Sequence, residues 1–186
     1  MWLKMSNPFQ NLTGPAITLP QMLATRDWRS DQQLKLLQTY LGTTLIWSSV
    51  RIPGPIKTGP RLVTAYQAIL AHLNQYYGVR VLASGQFDWA TGFEFYLILN
   101  QTASTVKQHL ITIEQNPGFS QLCDLDVLTL VNNQLHQTNR HGLDLPVRPC
   151  LICGADAKVC SRSRRHGLVD VQRTVDEIIT VGWREI

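Results

Sequence analysis

The decapeptide LCDLDVLTLV, residues 122–131, sets two acids inside an otherwise apolar run. Its make-up predicts a β-strand. Side chains of a strand alternate between faces, so Asp124 and Asp126 share one face while Leu125 and Val127 take the other. Leu122 before the acids and Val127-Leu128 after them argue for an interior strand, and Asn132-Asn133 is a turn signal leading into a partner at 134–138. Working outward, Gly118 breaks the chain ahead of the strand. Before it a helix capped by Thr102 carries Val106, Leu110 and Ile113 inward. Residues 79–83 and 93–100 read as strands around a loop at 84–92. The clearest helix opens at Pro60, closes at Gly78 and aligns Leu62, Tyr66, Ile69, Leu70 and Leu73. A further strand spans 43–52, and a helix with a charged middle runs from Thr18 and Pro20 to about residue 40. A last helix covers 167–179. The expected class is α+β, a mixed sheet with flanking helices. A loose lead-in at 1–17 precedes a single domain at 18–186, whose residues 145–186 form a small Cys/Arg-rich C-terminal annex with the last helix.

Length and composition agree with one such domain. The 186 residues are 44% hydrophobic and 16% charged, which excludes disorder and coiled coil. No apolar run approaches the ~20 residues of a membrane helix. The N-terminal residues lack the apolar stretch of a secretory signal. Four cysteines, three of them between 150 and 160, do not form a secreted disulfide pattern, so the cytoplasm is the expected compartment. A net charge of +4 favours anionic partners without naming one.

Several constellations can carry chemistry. Two carboxylates on one strand face repel each other, and a divalent cation resolves the conflict. Mg²⁺ takes one or two carboxylates plus phosphate oxygens, so Asp124 and Asp126 suit phosphoryl or nucleotidyl transfer; a solvent-facing edge strand is the other reading. Cys150, Cys153, Cys160 and His166 offer three thiolates and an imidazole, a set that can complete a tetrahedral zinc site, or are buried thiols of a loop-rich cap. Arg162, Arg164, Arg165 and, before the cysteines, Arg148 suit a polyphosphate, or form a solvated positive face. Arg26 and Arg29 lie three apart on one helix side and also suit an anion, unless they belong to a surface network with Asp27 and Asp31. Lys57 is presented by the rigid loop Pro53-Gly54-Pro55, which can equally be a connector. Glycine turns at Ala83-Ser84-Gly85 and at Gly92 could offer amides to phosphate. Glu94 is a candidate third carboxylate or general base, with a solvent-facing position as the alternative.

Taken in order, RDWR (26–29), PGPIK (53–57), TGFE (91–94), DLDVL (124–128) and CLICGADAKVCSRSRRHG (150–167) resemble the citrate lyase holo-acyl-carrier-protein synthases, also called apo-citrate lyase phosphoribosyl-dephospho-CoA transferases. The resemblance implies a nucleotidyltransferase-like fold. It also implies transfer of phosphoribosyl-dephospho-CoA from 2′-(5″-triphosphoribosyl)-3′-dephospho-CoA to a serine of the citrate lyase acyl carrier (gamma) subunit, with release of pyrophosphate. On that reading Asp124 and Asp126 hold Mg²⁺ and orient the serine hydroxyl, while Arg162, Arg164, Arg165 and Lys57 neutralise the leaving group. No nucleic acid or membrane partner is implied. The chain has Ser120-Gln121 where the family usually has Gly-Arg, and Arg148-Pro149 where it often has two basic residues. Rival readings are the counterpart enzyme serving malonate decarboxylase and a non-enzymatic, zinc-supported nucleic-acid-binding module. The absence of Phe, Tyr and Trp from 150–167 counts against the second.

Overall fold

A computed structural model describes residues 10–183; residues 1–9 of the expected lead-in and 184–186 of the expected annex lie outside the described residues. Five strands form one sheet: β1 (Thr44–Val50), β2 (Val81–Trp89), β3 (Gly92–Leu99), β4 (Cys123–Val131) and β5 (Gln134–Thr138), in the order β2-β3-β1-β4-β5. Every neighbouring pair is antiparallel, which corrects the expected mixed sheet. Hairpins join β2 to β3 and β4 to β5, and the long connections through helices return each strand against the direction of its neighbour. Asn132 and Asn133 both take positive φ, 50° and 59°, as a two-residue hairpin turn that follows strand twist requires.

Helices cover both faces. On one lies α1 (Leu19–Thr39), started by a reciprocal cap between Thr18 and Gln21. Its Leu37 packs on Leu45, Trp47, Ile98 and Leu128, and Trp28 stacks edge-on against Phe87 at 4.8 Å. On the other lie α2 (Pro60–Tyr77), α3 (Ala103–Gln115) and α5 (Leu168–Val181), whose apolar stripes meet Ile46, Phe95, Leu97, Leu125 and Val127 in the principal core. A short α4 (Ala157–Arg162) follows the first two cysteines of the C-terminal cluster and carries Cys160.

Three expectations need correction. Residues 84–89 are strand rather than loop. The pattern of β2 is polar on its outward positions because the strand lies at the sheet edge. Gly85 is therefore no phosphate-cradling turn; it sits under Tyr96, where a Cβ would stand 2.5 Å from a ring carbon. Residues 11–17 are not loose, since Leu12 and Ile17 are buried and Asn11 bonds to Asp176 and Thr180 of α5. The last helix is no appendage, because Val175 and Ile179 enter the principal core.

Candidate active site and metal centre

Register decides where the acids point. Ser49 of β1 faces Asp124 of β4 and Trp47 faces Asp126, on the sheet face that α1 covers. Glu94 of β3 falls in the same row when the β1–β3 pairing, which runs Trp47 to Tyr96 and Ser48 to Phe95, is continued by one residue. The alternation predicted from LCDLDVLTLV holds: Leu125 and Val127 are fully buried on the far face, and Asp124 and Asp126 are partly open.

β5 stops opposite Val127, so the edge of β4 at Leu125 has no strand beside it. Two charged side chains of α3 take its place. Lys107 Nζ donates to the Leu125 carbonyl at 2.7 Å, and Glu114 Oε1 accepts from the Leu125 amide at 3.0 Å. The peptide between the two aspartates is thereby clamped. Glu114 also accepts from Arg140 Nη2 at 2.5 Å and pairs with Arg148, whose Nη1 reaches Asp124 Oδ1 at 3.1 Å. Burial works against the Glu114 charge, but Arg148, Lys107 and Arg140 outweigh it and hold the carboxyl below its ordinary value. Lys107 goes the other way: burial lowers its pKa despite Glu114 and Asp126 nearby.

Asp124 and Asp126 open on a cleft of about 730 Å³. Six cationic side chains line it with them: Arg51, Lys107, Arg140, Arg148, Lys158 and Arg162. Burial, and then the charge of Asp124, push Asp126 up to about 6, as happens when a half-buried carboxylate shares its site with a second one. Gln137 donates to Asp126 Oδ1 at 2.6 Å, and each aspartate keeps its second oxygen free of hydrogen bonds among the described residues. The pair, facing these cations across the cleft, fits a hard dication with oxygen ligands.

A smaller hollow of about 210 Å³ gathers Arg26, Arg29, Lys57, Gly92 and Glu94. Arg29 ties it to the cleft. Burial disfavours its charge, but Glu94, Asp126 and Asp124 raise its pKa on balance. Glu94 is neither solvent-facing nor an open base: it is 1% exposed and accepts from Arg29 Nε at 2.7 Å, Arg29 Nη2 at 2.5 Å and Trp47 Nε1 at 2.6 Å. Three donors occupy both its oxygens, so it anchors Arg29 instead of presenting a third carboxylate to the cleft. Lys57 donates to the Ile52 carbonyl at 2.6 Å and does not line the aspartate cleft.

Of the basic cluster, Arg148 and Arg162 reach the aspartates' cleft, Arg164 lines a neighbouring one, and Arg165 is exposed and lines neither. The reason lies in the local fold. Pro149 bridges to Asp156, which caps α4 through the amides of Lys158 and Val159, and Ala157 donates its amide to the Arg148 carbonyl. That ties Lys158 and Arg162 to Arg148. Arg164, at φ 48°, then turns the chain away. Sequence reading missed Arg51, Lys107, Glu114, Arg140 and Lys158. A signal existed for two of them, because Lys107 and Glu114 stand inside the apolar stripe of α3, one residue from Val106 and Ile113 at helical spacing.

The ligand atoms of Cys150, Cys153, Cys160 and His166 all lie within 4.8 Å of one another. Gly154 turns the knuckle at φ 71°, and its amide bonds to the Cys150 carbonyl at 3.0 Å. Cys153 and Cys160 sulfurs are 3.6 Å apart and not disulfide-bonded. Burial and then the neighbouring thiols push Cys160 up to about 11, and His166 Nε2 is buried with no hydrogen-bond partner among the described residues. Three soft donors and an orphaned imidazole nitrogen converging on one point can bind a metal ion. No helix among the described residues is long and apolar enough to cross a membrane.

Comparison with known proteins gives a consistent set. A family model described as apo-citrate lyase phosphoribosyl-dephospho-CoA transferase matches residues 17–181. A probable apo-citrate lyase phosphoribosyl-dephospho-CoA transferase of Streptococcus pyogenes serotype M18 (strain MGAS8232) is 36% identical over 174 residues, 90% of this chain and 88% of the relative. A protein of Vibrio cholerae serotype O1 (strain M66-2) with the same description is 30% identical over 167 residues, covering 88% and 92%. Protein CitXG of Leuconostoc mesenteroides subsp. cremoris is 30% identical over 168 residues, 89% of this chain but 36% of that longer protein.

Proposed function

The chain belongs to the apo-citrate lyase phosphoribosyl-dephospho-CoA transferase family, and on that footing we propose that it attaches phosphoribosyl-dephospho-CoA to a serine of the citrate lyase acyl carrier (gamma) subunit, in the cytoplasm. The donor is 2′-(5″-triphosphoribosyl)-3′-dephospho-CoA, and pyrophosphate leaves. The observation that carries this reading is the pair Asp124 and Asp126 opening on a cleft lined by six cations.

The reaction is of nucleotidyl-transfer type, on a fold we assign to the nucleotidyltransferase-like class, and the described residues from 18 onward act as one transferase domain. Asp124 and Asp126 would hold Mg²⁺, which supplies positive charge against the donor triphosphate. Arg148 and Arg162 bind phosphate oxygens, and Arg51, Arg140 and Lys158 complete the positive wall. The serine hydroxyl of the carrier attacks the phosphorus next to the ribose and releases its proton to solvent; the new P–O bond forms as the bond to pyrophosphate breaks. Positioning and charge stabilisation are what a protein contributes to such a step, and the arginines that line the cleft can supply both. Arg26, Arg29 and Lys57, in the adjoining hollow, offer further positive charge to the donor or carrier. Cys150, Cys153, Cys160 and His166 would hold zinc, which would have a structural task in the Cys/Arg-rich segment, tying α4, and with it Lys158 and Arg162, to the knuckle before it.

Incubating the purified chain with apo-carrier, donor and Mg²⁺, then measuring the intact mass of the carrier, tests the assignment. The expected gain is one phosphoribosyl-dephospho-CoA; an unchanged mass with authentic partners refutes it.

A further inference from the structure

The aspartate cleft has a neighbour of nearly equal size and different character. On the far side of Arg51 lies a second cleft of about 770 Å³, with apolar walls of Ile52, Leu151 and Leu168 and with Cys150, Cys160 and His166 of the metal centre in its lining. Ile152 is 39% exposed and Leu168 53%, a patch of apolar surface on a segment otherwise rich in arginine. The two clefts share Arg51, Ala157 and Ser161, so one long molecule can cross from one to the other over this ridge.

Arg51 at the ridge is incompletely bonded. Its Nη1 is buried and finds no hydrogen-bond acceptor among the described residues. Its amide, by contrast, bonds to the Leu122 carbonyl at 2.8 Å, which fixes the backbone beside the start of β4. Buried donors are nearly always satisfied, so one left without an acceptor beside a cleft calls for a partner from outside the chain, water or a ligand oxygen. Arg164, which the sequence reading set beside the leaving pyrophosphate, lines this second cleft.

We infer that the second cleft receives the dephospho-CoA end of the donor while its triphosphate lies in the aspartate cleft, and that Arg51 Nη1 donates to a donor phosphate oxygen at the junction. This rests on the transfer reading above and deepens it. The donor is chemically bipartite: a compact polyanion at one end, and adenosine joined through a diphosphate to a long pantetheine arm, whose methyl and methylene groups alternate with two amides, at the other. Cavities of this size with apolar walls and a few fixed polar groups suit such an arm. Arg164 and Arg51 are the charged groups of the second cleft, and the diphosphate between adenosine and pantetheine is the part of that arm needing them.

The probes are dephospho-CoA and inorganic tripolyphosphate, each titrated calorimetrically into wild type, Leu168→Glu and Arg51→Met, with folding checked by circular dichroism. Leu168 is exposed at the first turn of α5, where a carboxylate is tolerated, so this variant folds. Leu168→Glu should weaken dephospho-CoA by about tenfold or more while leaving tripolyphosphate within about twofold, since a carboxylate in the second cleft repels only the ligand bound there. Arg51→Met should weaken dephospho-CoA as well. Unchanged dephospho-CoA affinity in Leu168→Glu overturns the inference. So does an absence of dephospho-CoA binding by a wild type that carries out transfer. A wild type that binds dephospho-CoA in this cleft yet never modifies the carrier sinks the transfer reading instead, so the two failures are distinguishable.

Discussion

Replacing Glu114 by glutamine removes one buried charge and leaves the shape of the side chain. Glu114 accepts from Arg140, Arg148 and the Leu125 amide, and its side chain is 1% exposed. Hydrogen bonds to a charged partner contribute about 1.5–3 kcal/mol against about 0.5–1.5 for neutral ones, so three weakened bonds cost roughly 3 kcal/mol. Arg140, Arg148 and Lys107 also lose their shared counter-charge, and breaking a buried pair from one side costs about 3–5 kcal/mol in total. For a domain of this size each kcal/mol lowers Tm by about 2–4 °C, which puts the variant roughly 6–20 °C below wild type near neutral pH. The pH dependence adds a second reading. The carboxyl is held below its ordinary value in the folded chain, so its stabilisation is fully present above the unfolded pKa and is lost as pH falls through the folded one. The gap between variant and wild type must therefore narrow in acid. Thermal melts followed by circular dichroism from pH 7.5 to about 3, well below the ordinary carboxylate value, measure both quantities. A variant melting within about 2 °C of wild type at neutral pH, or a gap that stays constant on acidification, would refute the clamp.

Other outcomes follow from the same geometry. Asp126 is pushed up to about 6, so the fold favours its protonated form and loses stability as pH rises from the unfolded value towards 6; Asp126→Asn should therefore melt above wild type at pH 7.5 without divalent cations, by about 2–3 kcal/mol. Added Mg²⁺ should stabilise wild type and leave that variant unmoved, and a destabilised Asp126→Asn would contradict the reasoning. Metal analysis should find one zinc per wild-type chain and little in Cys153→Ser, and a chelator should lower the Tm of wild type alone; equal metal content in the two would remove the site. Arg29→Met strands the buried Glu94 with Trp47 as its remaining donor and should cost about 3–5 kcal/mol in urea unfolding, whereas a loss under about 1 kcal/mol would show that the pair contributes little.

Elements whose local chemistry and packing agree were legible from sequence. Residues 60–77 combine an initial proline, an apolar stripe and a terminal glycine, and the Asn132-Asn133 hairpin is set by its turn residues. The common face of Asp124 and Asp126 needed only strand alternation, and the cysteine knuckle only spacing. What escaped was fixed by distant partners. Residues 84–89 look like loop because an edge strand tolerates Ser84 and Gly85, the latter excused by Tyr96 overhead. Glu94 passed for a reactive acid because nothing local reveals that Arg29, 65 residues earlier, takes both its oxygens. Arg51 and Arg140 reach the cleft from unrelated loops, and only the sheet order brings them beside β4.

The account stands most directly on single-turnover transfer to the carrier by Asp124→Asn, with donor in excess and Mg²⁺ present. The rate should fall about a thousandfold, the factor carried by several kcal/mol of charge stabilisation, while the melting temperature stays near that of wild type. A variant that still modifies the carrier within about tenfold of the wild-type rate would contradict the assignment of the two aspartates to the reacting triphosphate.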